Sequence, residues 1–153
     1  MKKFLSLALV ACALAFTSCE PKIDSPIVGS WNARGTLAIV NPSTGTTQYY
    51  DVLRMFYFSD NGTFQYNDYL YNDAGIATSD GYILQGSWSV DGDKLTLNTK
   101  KSGTVSSNNI TYDSDFKPVS ELIKWHIDGH YLHLTRNYGT DKEREEAFYD
   151  GSY

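Results

Sequence analysis

The stretch from Trp88 to Leu97 reads Trp-Ser-Val-Asp-Gly-Asp-Lys-Leu-Thr-Leu, and the chain repeats its pattern from Trp125 to Leu134 as Trp-His-Ile-Asp-Gly-His-Tyr-Leu-His-Leu. Both copies place an apolar residue two after the Trp, then Asp-Gly, then Leu-x-Leu. Asp-Gly between alternating apolar residues is a strong hairpin signal, because a type I′ turn needs positive φ at its central residues. With Asp91-Gly92 and Asp128-Gly129 as the turn pairs, Trp88, Val90, Leu95 and Leu97 share one face of the first hairpin. Ile123, Trp125, Ile127, Leu132 and Leu134 share one face of the second.

The rest of the chain is placed from these hairpins. Residues 30–39 alternate, with Trp31, Ala33, Gly35, Leu37 and Ile39 on one side and Ser30, Asn32, Arg34 and Thr36 on the other, the pattern of a strand with one buried face. Residues 47–58 and 63–71 read as strands around Asp60-Asn61-Gly62. A two-residue turn there sets Phe58 opposite Gln65. A three-residue loop with Gly62 left-handed sets Phe58 opposite Phe64 and Phe56 opposite Tyr66, and matching faces favour the three-residue loop. Further strands are expected near 81–90, 121–127 and, as a strand or a helical turn, 143–149. Residues 41–46, 72–79, 100–119 and 137–142 read as loops, with a short strand near Ile110-Thr111-Tyr112.

The composition agrees with strands and turns. Aromatic residues make up 14% of the 153-residue chain, 12 of them Tyr, and few stretches have helical periodicity. The formal net charge is −5, which leaves no basic patch to neutralise phosphates, so nucleic acid is excluded as a partner class. Both cysteines fall near the N-terminus. Met1-Lys2-Lys3 is a charged start, residues 4–16 are apolar but too short to span a bilayer, and small residues lead to Cys19. The pattern resembles a bacterial lipoprotein signal. It implies a signal peptide over 1–18, lipidation of Cys19, a tether over 19–27, a domain over 28–153 and an outer-membrane location. Leu9-Val10-Ala11-Cys12 fits the lipidation motif more closely than Phe16-Thr17-Ser18-Cys19. Cleavage at Cys12 would leave Ala13-Leu14-Ala15-Phe16 exposed on the mature chain, which favours Cys19. A plain secretory signal is the alternative. The domain after Cys19 holds no Cys, so disulfides, thiolate metal sites and Cys nucleophiles are excluded from it.

The expected fold class is therefore all-β, an antiparallel up-and-down barrel of about eight strands. Strand direction alternates, so the three tight turns fall at one end and the long loops at the other. Trp31, Phe58, Phe64, Trp88 and Trp125 gather inside the tight-turn end as an aromatic plug. The segments Val28-Gly29-Ser30-Trp31, Phe56-Tyr57-Phe58-Ser59-Asp60-Asn61-Gly62-Thr63-Phe64 and Gly86-Ser87-Trp88, followed by Asp91-Gly92 and Leu95-Thr96-Leu97, resemble the lipocalin-like domain of Bacteroidetes lipoproteins over residues 27–137. The resemblance implies a calycin-type barrel and a small-molecule or lipid ligand. The chain departs from lipocalins in one respect. Lipocalins pack an Arg over the N-terminal Trp, whereas Arg136 and Arg144 here fall toward the open end.

The ligand-binding candidates are Tyr50, Arg54, Asp68, Tyr82 and Arg136. Under the three-residue loop, Arg54 and Asp68 sit directly opposite each other on the inner face. A charge buried alone is costly, so they are expected to pair. The pair reads as a polar contact in a ligand cavity, as a satisfied internal ion pair, or as a bulge that turns Arg54 outward. Tyr50, Tyr82 and Arg136 project inward near the mouth, where a few polar groups on an apolar wall suit a ligand. His126 and His133 fall on the outer face as diagonal neighbours ~7–8 Å apart, and His130 on the other face beside the turn, so no metal site is expected. Glu143, Glu145 and Glu146 read as a solvated edge. No catalytic set and no cofactor motif is found. Two functions follow. One is a membrane-anchored protein binding a small, partly apolar ligand at the long-loop end. The other is a filled barrel that meets a protein or glycan partner through outward Tyr49, Leu53, Met55, Tyr57, Tyr69, Tyr71 and Tyr131.

Overall fold

The computed structural model describes residues 22–151 except Pro42, Asp73 and Asn108. Nine strands are described: β1 Gly29–Val40, β2 Thr47–Phe58, β3 Thr63–Tyr71, β4 Ala77–Asp91, β5 Lys94–Ser106, β6 Asn109–Tyr112, β7 Val119–Asp128, β8 Tyr131–Arg136 and β9 Arg144–Asp150. Every pairing is antiparallel. The sheet runs β4-β3-β2-β1-β9-β8-β7-β5-β6, and β4 pairs again with β5, so eight strands close into an up-and-down barrel with β6 as an addition. Strand number and closure follow the expectation. The tight turns β2–β3, β4–β5 and β7–β8 share one end.

The aromatic plug is there. Trp31, Phe56, Phe58, Phe64, Trp88 and Phe148 are buried with Leu95, Leu97, Ile123, Leu132 and Leu134. Phe58 stacks on Phe56 with centroids 5.2 Å apart and meets Trp88 edge-on at 5.5 Å. Such pairs add roughly 0.5–1.5 kcal/mol each beyond area burial. The Trp88 indole N–H donates to the Ser59 carbonyl at 3.0 Å, tying β4 to the β2–β3 turn. Trp125 is only half-buried. The stretch read as tether is partly seated. Ile27 is fully buried, its carbonyl accepts from the Trp31 indole at 2.8 Å, and the Ile23 N–H donates to Asp60 at the closed end.

Three local expectations are corrected. Asp91 pairs with Lys94 and Asp128 with Tyr131, so the central turn residues are Gly92-Asp93 and Gly129-His130. Gly92 and Gly129 both have φ of 58°, and neither Asp93 nor His130 is among the positive-φ residues. Glycine first is the type II′ arrangement. The shift is two residues, so every side chain keeps its face while its partners change. Residues 100–106 are strand, not loop: β5 continues to Ser106 and folds back into β6, the short strand expected near Ile110–Tyr112, leaving 113–118 as loop. A bulge against Gln85/Gly86 breaks the phase of β5 there. The loop at 72–79 is shorter than expected, since β4 begins at Ala77.

The wall is uneven. β1 pairs with β9 only at Trp31↔Asp150 and Asn32↔Tyr149. Above that point the two strands part.

Candidate functional site

Gly62 has φ of 80°, the left-handed residue of a three-residue loop. It sets the β2–β3 register with Phe58 opposite Phe64, Phe56 opposite Tyr66 and Arg54 opposite Asp68. All six point inward. Arg54 Nε lies 3.5 Å from Asp68 Oδ1, so the expected pair forms and no bulge turns Arg54 away.

Arg54 does more than face Asp68. Its guanidinium crosses β1 at Gly35, where a Cβ would stand 2.5 Å from Nε and 2.7 Å from Cζ. On the β9 side of β1 it donates to the Thr36 carbonyl at 3.0 Å and to Glu146 Oε1 of β9 at 2.7 Å. Arg54 thus bridges the gap where β1 and β9 lack ladder hydrogen bonds. Glu146 also meets Arg136 Nε at 3.5 Å and Arg144 at 3.7 Å, and Arg136 pairs with Glu121. The result is a charged belt across the barrel above the aromatic plug. The expectation that Glu146 sits on a solvated edge is corrected. It shares inward parity with Phe148, and the cations of β2 and β8 claim it. Glu145 does face outward.

Burial raises the Asp68 carboxyl above its ordinary value, against the lowering effects of the Tyr66 hydrogen bond and of Arg54. The Tyr66 hydroxyl donates to Asp68 Oδ1 at 2.6 Å. Burial, and then that bond, raise the phenol far above its usual range. Tyr66 therefore stays a neutral donor.

Two spaces adjoin the belt. A chamber of about 130 Å³ is lined by Arg54, Phe56, Phe64, Tyr66, Leu84, Leu97, Thr99, Glu121, Arg136, Arg144 and Glu146. A wider space of about 370 Å³ toward the long-loop end is lined by Leu37, Ile39, Tyr66, Asp68, Tyr82 and Leu84 among others. Tyr66 and Leu84 line both. The belt brings Arg54, Asp68 and Arg136 together, and Tyr82 joins them across the upper space. Tyr50 does not join them: its hydroxyl donates to Gln48 at 2.6 Å, and it lines a cleft on the outer wall. Sequence reasoning missed Tyr66, Glu121 and Glu146 as site residues, although inward parity was a signal for each.

On the outer face, His126 and His133 sit directly opposite each other, not diagonally, with rings stacked at 4.5 Å. The two-residue turn shift is the reason. His133 Nδ1 lies 3.0 Å from Glu145, whose carboxyl the contact with His133 lowers. Among the described residues no group of three or more His, Cys, Asp or Glu is placed to hold a metal. Leu53, Met55, Tyr69 and Tyr71 are half-buried, so of the expected outer aromatic patch only Tyr49, Tyr57 and Tyr131 stand well exposed. Cys12, Cys19 and the expected signal peptide lie outside the described residues. No family model, curated protein or solved structure matches this chain.

Proposed function

We propose that the chain is a membrane-anchored lipoprotein of the lipocalin-like kind, whose barrel binds a small, partly apolar molecule through its long-loop end. One observation carries this reading: an apolar-walled space of about 370 Å³ opens above a charged chamber of about 130 Å³, with Tyr66 and Leu84 shared by both. The upper space is of ligand size, and pockets of this kind pair apolar walls with a few placed polar groups. The ligand's apolar body lies against Leu37, Ile39 and Leu84, and its polar end meets Tyr66 and Asp68. The role is binding, not catalysis, with no cofactor.

The described chain begins at the closed end, opposite the mouth. Lys22 pairs with Asp60 at 3.0 Å on the closed end. A lipid on Cys19 would join the chain three residues before Lys22. The mouth then points away from the anchoring membrane. Native mass spectrometry of the protein isolated from its own cell envelope tests the reading. A copurified small molecule, lost in Leu84→Trp, is the expected result. An empty protein, with no difference between wild type and Leu84→Trp toward added amphiphiles, would overturn it. Labelling with a fatty-acid analogue, abolished by Cys19→Ala and not by Cys12→Ala, tests the anchor.

A second reading, a barrel that meets a protein or glycan through its outer face, is favoured by the exposure of Tyr49 at 73%, Tyr57 at 55% and Tyr131 at 48%.

A further inference from the structure

A second concave site lies outside the barrel interior. It is a cleft of about 620 Å³ in the outer wall, lined by Arg34, Tyr49, Asp51, Tyr71, Asn72 and Gly75 among others. Its origin is topological. The β2–β3 ladder ends at Val52↔Leu70, while β1 and β2 stay paired up to Val40↔Thr47. The last turn of β3 goes to β4 instead, with Tyr71 opposite Ala77. From Thr47 to Asp51, β2 therefore has a neighbour on one side only.

The alternation of an antiparallel ladder says which backbone groups face the cleft. The Ser30 carbonyl accepts from Gly151 on the β9 side, so even-numbered β1 residues face β9 and odd-numbered ones face β2. Leu37 pairs with Tyr50 and Ile39 with Gln48. The N–H and C=O groups of Thr47 and Tyr49 consequently point into the cleft, with no ladder partner among the described residues. Two further groups there are unused. Asp51 has no ion-pair partner among the described residues, and Arg34 has only the Tyr71 ring, 5.1 Å from its guanidinium. The other free edge, on β1, is different: Arg54 already occupies its Thr36 carbonyl.

Exposed edges of folded proteins are normally guarded by Lys, Pro, a bulge or a cover. Thr47-Gln48-Tyr49-Tyr50-Asp51 has no Lys and no Pro. An unguarded edge set in a concave cleft is the geometry of strand addition, in which main-chain hydrogen bonds give affinity and flanking side chains give selectivity. We infer that the cleft between β2 and the β3–β4 turn docks an extended peptide segment of a partner protein along Thr47–Asp51, with a basic side chain of that segment on Asp51 and an acidic one toward Arg34. Five residues of extended chain span about 17 Å. This inference stands apart from the interior reading, because the cleft lies on the outer wall and shares no belt residue.

The test titrates the full mature domain, labelled with ¹⁵N, with a capped hexapeptide of alternating Thr and Val that carries one Lys and one Glu. The expected result is shift changes confined to Thr47, Tyr49, Asp51 and Tyr71, with slowed exchange of the Tyr49 amide. The same peptide N-methylated at alternate residues should bind at least tenfold more weakly. Tyr49→Pro should do the same to the unmodified peptide while the barrel stays folded, since the lost N–H is not part of the β1 ladder. Asp51→Lys, which leaves the cleft with two cations, should make a peptide with two Glu bind more tightly than one with two Lys. Equal binding of the N-methylated peptide, shifts at another surface, or no shifts would overturn the inference. So would concentration-dependent self-association that Tyr49→Pro abolishes, which would make the occupant a second copy of this chain. The N-methylated peptide needs no variant, so the test survives a substitution that fails to fold.

Discussion

Gly35→Ala should change sign with its background. In the native chain the added Cβ would lie 2.5 Å from Arg54 Nε, 2.7 Å from Cζ and 3.0 Å from Cδ. These are mid-chain atoms of a side chain fixed at both ends, by Asp68 on one side and by Thr36 and Glu146 on the other. Arg54 must lift off β1, and its bonds to Thr36 and Glu146 lengthen. Overpacking of this kind costs ~1–3 kcal/mol. Once Arg54 is Ala, nothing crosses position 35. Its φ is not in the left-handed region, so Ala fits the backbone. The same change should then stabilise by about 0.4–1 kcal/mol, through the lower entropy of the unfolded chain. Urea unfolding of the four proteins in this cycle gives both numbers and a coupling of roughly 1.5–4 kcal/mol. Equal effects of Gly35→Ala in the two backgrounds would refute the claim that Gly35 exists to let Arg54 across.

Three other outcomes follow from the geometry. Burial raises Asp68, so the folded protein holds that proton more tightly than the unfolded chain does. The group's contribution to stability is full below its ordinary value of 3.8 and is lost as pH rises through the folded value. The stability of Asp68→Asn relative to wild type should therefore rise from pH 4 toward neutrality, and a flat or falling difference in urea melts would contradict this. Gly86→Ala puts a Cβ 2.0 Å from the Asn98 carbonyl oxygen and 2.9 Å from the Phe64 ring, beside the β5 bulge. It should cost ~2–3 kcal/mol or more, and a midpoint matching wild type would be the contrary result. Trp31→Phe leaves the Ile27 carbonyl without its indole donor inside the closed end. Thermal unfolding should show a loss of ~1–3 kcal/mol, against no change if residues 22–28 do not seat there.

Faces were legible in the sequence where partners were not. Period-two alternation assigns Trp31, Phe56, Phe64 and Trp88 to the interior, and a register slip of two residues does not alter that. The same slip moves His126 from a diagonal of His133 to a position directly across from it, because the choice between I′ and II′ depends on the backbone around Gly129 and not on the Asp-Gly pair itself. The Arg54–Asp68 pair was readable, since one local hairpin fixes it. Glu146 was not: its partner is 92 residues away, and only barrel closure brings β9 beside β1. Composition misled at residues 100–106, while the short strand expected at Ile110–Tyr112 is β6. Ser, Asn and Lys suit a loop, yet β4 on one side and β6 on the other hold that stretch extended, a case of neighbours overriding propensity. Gly35 could be placed on the inner face, but nothing local told which side chain would pass over it.

A ligand entering through the long-loop end would reach the interior space above the Arg54–Glu146 belt. Methyl nuclear Overhauser contacts from bound n-decanol test it most directly. Contacts to Leu37, Ile39 and Leu84 and to the Tyr66 and Tyr82 rings are expected, all weakened by Leu84→Trp. Contacts confined to the outer rings of Tyr57 and Tyr131, or none at saturating alcohol, would contradict it.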